Sequence, residues 1–378
     1  MKLSDFRNQN CCSKVAVPIF STQPLSIQWK ITLVMTLDSP IRLAIVGATG
    51  AVGQELLTVL DKRKFPLAEL RCFASPRSEG KNLAFRGEQI PVEVIDEKSF
   101  RDIDIAIFSA GRKVAYEYAP LAVSSGAVVI DNSSAFRMQE DVPLVIPEIN
   151  PHALKQHQGI IASPNCSTTI MLIALAPLHR RFGIKRVVAA TYQAASGAGA
   201  AAMEELKAET RALLEEAEFE RRIMPFPYAF NLFTHNSPLS ENGYVDEELK
   251  MLYETRKILE DDSIWVNATC VRVPVLRAHS EALNVTFHNP ATQAQVVEIL
   301  KNAPGLVFLE NRSLNRFPMP SDASGQDPVF CGRIREDLSF PNTFDLWVVG
   351  DQLLKGAALN AVQIAEQLIH QDILCNSP

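Results

Sequence analysis

The sequence predicts an α/β protein built on a Rossmann-type, doubly wound parallel sheet, with a second domain of different character after it. Two observations carry that expectation. The apolar run Ile41-Arg42-Leu43-Ala44-Ile45-Val46 passes directly into Gly47-Ala48-Thr49-Gly50-Ala51-Val52-Gly53 and then into a helical pattern through Leu60. Strand-like and helix-like segments then alternate as far as Ile130, the pattern of parallel strands joined by crossover helices. A chain of 378 residues, 47% hydrophobic and 21% charged, has the length and composition for two domains with separate cores.

The glycine-rich turn is the first functional signal. A backbone that turns sharply, approaches a pyrophosphate and lets its helix pack on the strand has no room for a Cβ, so Gly47, Gly50 and Gly53 suit a dinucleotide. The spacing is GxxGxxG rather than GxGxxG, and a tight turn without a ligand is the alternative. The next strand, Glu69 to Ala74, continues into Ser75-Pro76-Arg77-Ser78-Glu79-Gly80-Lys81. Where an NAD-binding chain carries an acid for the ribose 2′-OH, Arg77 and Ser78 suit a 2′-phosphate. That points to NADP, with a solvated surface arginine as the alternative. Ile103 to Ser109 reads as a strand, Val114 to Ser124 as a helix and Ala127 to Ile130 as a strand. Ser109-Ala110-Gly111 and Asp131-Asn132-Ser133-Ser134 then fall at strand ends, the ligand edge of such a sheet. Arg137, just beyond, is suited to bidentate phosphate binding.

Composition narrows the partners. A formal net charge of -6 without a long basic run argues against nucleic acid, and no apolar stretch reaches the length of a membrane span. Cys11, Cys12, Cys72, Cys166, Cys270, Cys331 and Cys375 show neither a disulfide framework nor a zinc spacing. No metal is expected, and a reducing, cytoplasmic setting is. Residues 1–38 are irregular and rich in Ser, Asn and Gln. They read either as an organelle-targeting extension or as sequence upstream of a start at Met35, and the second reading is preferred because Asp5 and the lack of an Arg-rich amphipathic pattern speak against the first.

Ser163-Pro164-Asn165-Cys166-Ser167-Thr168-Thr169 carries the second signal. Gly159 to Ala162 reads as a short buried strand, Pro164 interrupts it, and Ile170 to Leu178 repeats apolar residues at helical spacing. Cys166 therefore falls near a helix N-terminus, where unpaired N–H groups and the helix dipole favour a thiolate. A buried, inert cysteine is the alternative.

Beyond it, Val187 to Ala194 reads as a strand and Ser196-Gly197-Ala198-Gly199 as a flexible turn. A helix rich in Ala and Glu, its charges on a solvated face, runs to about Ala217. Pro225 to Gly243 looks irregular. Glu247 and Lys250, three apart on a helix to Leu259, form either a surface ion pair or a pair aimed at one polar ligand. In Val271 to Ser280, an extended chain would put Arg277 and His279 on one face and Arg272 on the other, with Pro274 leaving the parity open. His279 is a candidate general base or a structural histidine.

Taken together, Ile41 to Gln367 resembles the aspartate-β-semialdehyde dehydrogenase family. The matching segments are Gly47 to Gly53, Asn132 to Arg137, Pro164 to Thr168, Gln193 to Gly199, Cys270 to Pro274, His279 and Gly350 to Ala358. The resemblance implies an α+β catalytic and dimerisation domain with a mixed sheet, residues 166–351. It also implies a discontinuous NADP-binding domain, residues 39–165 with 352–378, the first 38 residues lying outside. Cys166 would be the nucleophile, His279 the acid/base group and Gln193 the residue orienting substrate. Arg272 would hold the substrate carboxylate and Glu247 its amino group, while Arg137 and Lys250 would bind inorganic or acyl phosphate. Gly47, Thr49, Gly50, Ala51, Val52, Gly53, Arg77, Ser78, Ser109, Ser196, Gly197 and Gln352 would line the NADP site, and a homodimer or homotetramer is implied.

The implied reaction is reductive dephosphorylation of aspartyl phosphate to aspartate semialdehyde through a Cys166 thioester, in lysine/diaminopimelate, threonine, methionine and isoleucine biosynthesis. The Cys166 backbone N–H and the Asn165 amide are further expected to stabilise the oxyanion, a donor of that kind contributing about 3 kcal/mol. Two other readings remain: an N-acetyl-γ-glutamyl-phosphate reductase, and an NADP-binding redox sensor without enzymatic activity. Glu247 favours a free ammonium over an acetamide.

Overall fold

The computed structural model describes residues 40–374; the expectations for residues 1–38 and for Cys11, Cys12 and Cys375 lie outside them. Fourteen strands run in chain order as β1 (Ile41–Val46), β2 (Leu67–Phe73), β3 (Asn82–Phe85), β4 (Glu88–Glu93), β5 (Ile105–Phe108), β6 (Val128–Asp131), β7 (Ile160–Ala162), β8 (Ile184–Gln193), β9 (Phe233–Thr234), β10 (Trp265–Arg272), β11 (His279–Phe287), β12 (Leu306–Phe308), β13 (Val329–Glu336) and β14 (Thr343–Gly350). The helices are α1 (Ala51–Lys62), α2 (Arg112–Ser124), α3 (Cys166–Phe182), α4 (Ala200–Leu214), α5 (Asp246–Leu259), α6 (Gln293–Lys301), α7 (Pro320–Ala323) and α8 (Leu359–His370).

The first sheet has the order β3-β4-β2-β1-β5-β6-β7, and all its pairings are parallel except β3 with β4. The chain winds outward in both directions from β1, so the carboxyl ends of β1 and β5 flank the topological switch point where ligands bind in such sheets. Buried on both faces, β5 and the Leu43–Val46 stretch of β1 read as unbroken apolar runs rather than alternating ones.

The second sheet, β12-β13-β14-β11-β8-β10-β9, is mixed: β8 with β10 and β12 with β13 are parallel, the other pairings antiparallel. Helix α3 explains why Ile170 to Leu178 is apolar almost all round, since Ile170 through Ala176 and Leu178 are all buried where the helix packs against this sheet, α5 and α6. After β14 the chain returns to the first sheet, and α8 packs on α1 and β6. Asn360 of α8 donates to Ser163 Oγ and to the carbonyl of Val145, each at 3.0 Å, which ties this return to the segment leading into Cys166.

Two local expectations are corrected. The helix after Gly199 ends at Leu214, and its acids do not all lie on a solvated face. Glu205 accepts the backbone N–H groups of Arg222, Ile223 and Met224, and Glu209 those of Tyr228 and Ala229. An irregular segment lacks ladder partners for its amides, so side-chain carboxylates supply the acceptors. The second correction concerns Val271 to Ser280, which is two strands and not one: β10 stops at Arg272, β11 starts at His279, and Ala278 between them takes a left-handed φ of 74°. The turn cancels the parity argument. Arg277 leaves the site to pair with Glu55 and Asp351, while Arg272 and His279 converge.

Candidate active site

At the carboxyl edge of the first sheet, the glycine-rich turn has the clearance that a dinucleotide requires. A Cβ on Gly47, whose φ is +92°, would lie 2.5 Å from the Ser109 carbonyl oxygen, and one on Gly53 would lie 2.4 Å from that of Gly47. Helix α1 has no side-chain N-cap and no acid in its first turn, so its leading N–H groups around Ala51 and Val52 face the crevice beyond Thr49 and Gly50 without a competing anion. Beyond β2, Arg77 is exposed on a short 3-10 turn while Ser78 is buried beneath it. From the other sheet, Gln352 bonds Ser196 Oγ through its amide nitrogen and accepts the Ala278 N–H at 3.0 Å, bringing Ser196, Gly197 and Gln352 to one place.

Cys166 is the first residue of α3. Asn165 is the N-cap: its Oδ1 accepts the N–H groups of Ser167 and Thr168, and its Nδ2 donates to Glu247 Oε1 at 2.8 Å. The expected oxyanion donor is also the cap that fixes the helix start, and one of its two amide N–H groups is taken by Glu247. From the other side, the chain at Leu354–Ala358 makes a widened, π-type turn that brings Gly356 against the cysteine. A Cβ at 356 would lie 2.8 Å from that of Cys166.

Around this thiol stand four buried side chains from four elements. Gln193 ends β8 and donates to Ser167 Oγ at 2.9 Å; Arg272, its register partner, ends β10. His279 begins β11, and a Cβ on Gly197 would sit 3.1 Å from both its Nε2 and Arg272 Nη1, so the two side chains converge there. Glu247 of α5 meets Asn165, Gln193 and Lys250, the last at 3.0 Å. Arg272 has no carboxylate within ion-pair distance among the described residues; its partners are His235 Nε2 at 2.8 Å and, at 3.5 Å each, Asn236 Oδ1 and the Ala194 carbonyl. Arg137 differs: it is buried against Glu254 at 3.0 Å and donates to the carbonyls of Ser163 and Asn132, which occupies three of its five N–H groups.

The electrostatics correct the thiolate expectation. Burial within the surrounding protein, then the Glu247 carboxylate, push the Cys166 thiol up to about 12, against Arg137, Arg272 and the Ser167 N–H, although the residue keeps partial exposure. Burial and the Arg272 charge push His279 down to about 3, so its ring is neutral. Its Nδ1 accepts the Ala194 N–H at 3.0 Å, which places the ring proton on Nε2, and Nε2 has no protein partner. As held, His279 offers a hydrogen-bond donor to the site rather than the base expected from its type. Burial alone would raise Glu247, but the Lys250 ammonium and the Asn165 amide hold the carboxyl down to about 2.

This arrangement has counterparts. Residues 42–157 match the family described as semialdehyde dehydrogenase, NAD binding domain, and residues 175–355 the family described as semialdehyde dehydrogenase, dimerisation domain. The chain is 55% identical over 335 residues to an aspartate-semialdehyde dehydrogenase of Synechocystis, covering 89% of this chain and 99% of that one. It belongs to the aspartate-semialdehyde dehydrogenase family.

The Bacillus subtilis aspartate-semialdehyde dehydrogenase is 46% identical, covering 87% of this chain and 97% of that protein. Among solved structures, Vibrio cholerae aspartate semialdehyde dehydrogenase II in complex with ASA has a TM-score of 0.86 at 44% identity, covering 88% of this chain and 99% of that one. The Candida albicans enzyme with NADP has a TM-score of 0.69 at 25% identity, covering 89% and 100%. The chain is thus an oxidoreductase with a nicotinamide dinucleotide as its class of cofactor, and the second match assigns its mixed-sheet half to a dimerisation domain. No described helix is long and apolar enough to cross a membrane.

Sequence reading missed Glu254, which holds Arg137 and accepts the Asn165 N–H at 2.6 Å. Its signal was available: Glu254 lies seven residues beyond Glu247, two turns along one helix face. His235 gave none, because only the pairing of β9 with β10, across the intervening α5, brings it to Arg272.

Proposed function

We propose that this enzyme reductively dephosphorylates L-aspartyl 4-phosphate to L-aspartate 4-semialdehyde with NADPH, and runs the reverse with phosphate and NADP, through a thioester on Cys166. The supporting observation is Arg272, a buried cation without an anionic partner, set near an equally buried Glu247. A guanidinium takes an α-carboxylate and a glutamate an α-ammonium, so together they fit the amino-acid end of an aspartyl group. Gln193 orients that substrate between them. Lys250, and the two N–H groups that Arg137 keeps free, form the phosphate site at lower charge than two unpaired cations would give. Serving lysine/diaminopimelate, threonine, methionine and isoleucine biosynthesis, the enzyme acts as a homodimer or homotetramer in the cytoplasm, a reading in keeping with the unpaired Cys72, Cys166, Cys270 and Cys331.

Cys166 Sγ attacks the acyl carbon; the carbon–sulfur bond forms, the carbon–oxygen bond to phosphate breaks, and phosphate leaves, taking up the proton that the thiol loses. The Cys166 N–H, at the first helical position without an intrahelical acceptor, and His279 Nε2–H stabilise the developing oxyanion. Gly47, Thr49, Gly50, Ala51, Val52, Gly53, Ser109, Ser196, Gly197 and Gln352 hold the nicotinamide dinucleotide, with Arg77 and Ser78 at the 2′-phosphate that distinguishes NADP. Bound there, it would supply the hydride that reduces the thioester carbon, after which the carbon–sulfur bond breaks, the semialdehyde leaves and Cys166 is restored as a thiol.

The test follows NADPH formation from aspartate semialdehyde and phosphate, then from the N-acetyl-glutamate semialdehyde analogue. Turnover of the first alone, lost in Cys166→Ser by at least about 10³-fold while NADP still binds, is the expected result. Preference for the acetylated substrate, or a fully active Cys166→Ser, overturns it.

A further inference from the structure

Between the two charged groups at the amino-acid end of the site lies a segment to which no role has been given. The chain leaves β9, which pairs Phe233 with Arg272 and Thr234 with Val271, and His235 follows with its N–H bonded to the Cys270 carbonyl at 2.8 Å. That anchoring points the imidazole at the end of β10. His235 Nε2 lies 2.8 Å from Arg272 Nη2, and Nδ1 lies 3.0 Å from Ser237 Oγ. Ser237 Oγ in turn accepts the backbone N–H of Glu247 at 3.1 Å, in the first turn of α5.

The ring's protonation follows from its partner. A guanidinium only donates, so Nε2 must be bare and the proton must sit on Nδ1, where it is donated to Ser237 Oγ. The other tautomer would accept the Ser237 N–H, 3.2 Å from Nδ1, but would set N–H against N–H at a charged group. The charged bond is the stronger of the two and decides between them. Around this ring stand Arg272 of β10, Glu247 and Lys250 of α5 and His279 of β11; burial first, opposed by Glu247 and aided by Arg272 and Lys250, holds His235 down to about 4 and keeps it neutral.

We propose that His235 is a positioning residue: as the Nδ1–H tautomer it fixes the Arg272 guanidinium, and through Ser237 it sets that group in register with Glu247, so that the two read the α-carboxylate and α-ammonium of one substrate. The proposal rests on Arg272 being the carboxylate anchor. It concerns recognition at one end of the substrate and not the bond-breaking at Cys166. Its chemistry predicts which replacement works: glutamine offers an amide oxygen to Arg272, whereas leucine fills space and offers nothing.

The experiment compares His235→Leu and His235→Gln in steady state with aspartate semialdehyde, phosphate and NADP, and with 3-aminopropanal, which lacks the carboxylate. His235→Leu should raise KM for aspartate semialdehyde about tenfold, with kcat within about twofold and the KM values for phosphate and NADP unmoved. His235→Gln should recover most of that loss, and kcat/KM for 3-aminopropanal should be the same in all forms. A leucine variant that leaves KM unchanged, one that lowers kcat or raises every KM alike, or a glutamine variant no better than leucine overturns the proposal. Arg272→Ala separates the two levels. If it too leaves the semialdehyde KM unchanged, the carboxylate anchor itself is wrong; if it raises KM while His235→Leu does not, only the role of His235 falls.

Discussion

The backbone N–H of Ala194 donates to His279 Nδ1 across 3.0 Å, and this one bond fixes which face of the imidazole the active site meets. The next residue of that turn, Ala195, is itself held by the Val275 carbonyl at 2.8 Å, so the donor cannot swing away from the ring. His279 then presents Nε2–H beside Arg272. A hydrogen-bond donor beside a guanidinium suits negative charge on an oxygen, while nothing in this arrangement lowers the Cys166 thiol below its ordinary range.

Alkylation of Cys166 in the ligand-free enzyme should therefore be slow at neutral pH and climb steeply with it. With the thiol at about 12, the thiolate fraction grows about tenfold per pH unit through the range from about 7 to 9. Rates of iodoacetamide modification, with modified Cys166 identified by mass spectrometry, check this. A plateau near pH 7 would mean that the helix N-terminus dominates after all.

Gly356→Ala should injure catalysis far more than folding. The added methyl would meet the Cys166 Cβ at 2.8 Å, and the widened turn holding Gly356 is itself fixed by buried Lys355, whose Nζ bonds Glu148, Asn360 and Gln363. A displacement of about 1 Å at the nucleophile can lower kcat about 100-fold. Thermal melting within a few degrees of the parent alongside that loss is expected; full activity would refute the contact.

Arg77→Ala should narrow the preference between dinucleotides. Arg77 is exposed and has no ion pair among the described residues, so its removal should raise KM for NADP about tenfold and leave NAD little changed. Equal losses with both cofactors would assign the 2′-phosphate elsewhere.

Glu281 should make the enzyme less stable as pH rises. It is fully buried on β11, two residues beyond His279 on the same face, and neither carboxyl oxygen has a protein partner. Burial raises its folded pKa well above the usual carboxylate value, so the folded state keeps a proton that the unfolded chain releases. Its stability is then fully present below the unfolded pKa and falls by about 1.4 kcal/mol per pH unit above it, until the folded pKa is reached. Glu281→Gln removes that slope. Melting temperatures measured at pH 5 and pH 8 should show the variant gaining on the parent at the higher pH; equal differences at both would show that Glu281 is ionised in the fold.

What the sequence determined by itself was local: β1 running into glycines that admit no Cβ, the apolar run of α3, Cys166 near its start, and the shared helical face of Glu247 and Lys250. Each follows from the period of one element and the sterics of adjacent residues. Tertiary structure decided everything that depends on two elements meeting. The turn ending at Ala278 settled the parity that Pro274 had left open and brought Arg272 and His279 together, because strand alternation holds only while the strand continues. Glu254 took up part of Arg137, Asn165 became a cap, and burial beside Glu247 lifted the thiol that a helix N-terminus alone would have lowered. A charge or a hydrogen-bond acceptor acts through space and not along the chain, so the protonation of Cys166, His235 and His279 became legible only when their neighbours were in place.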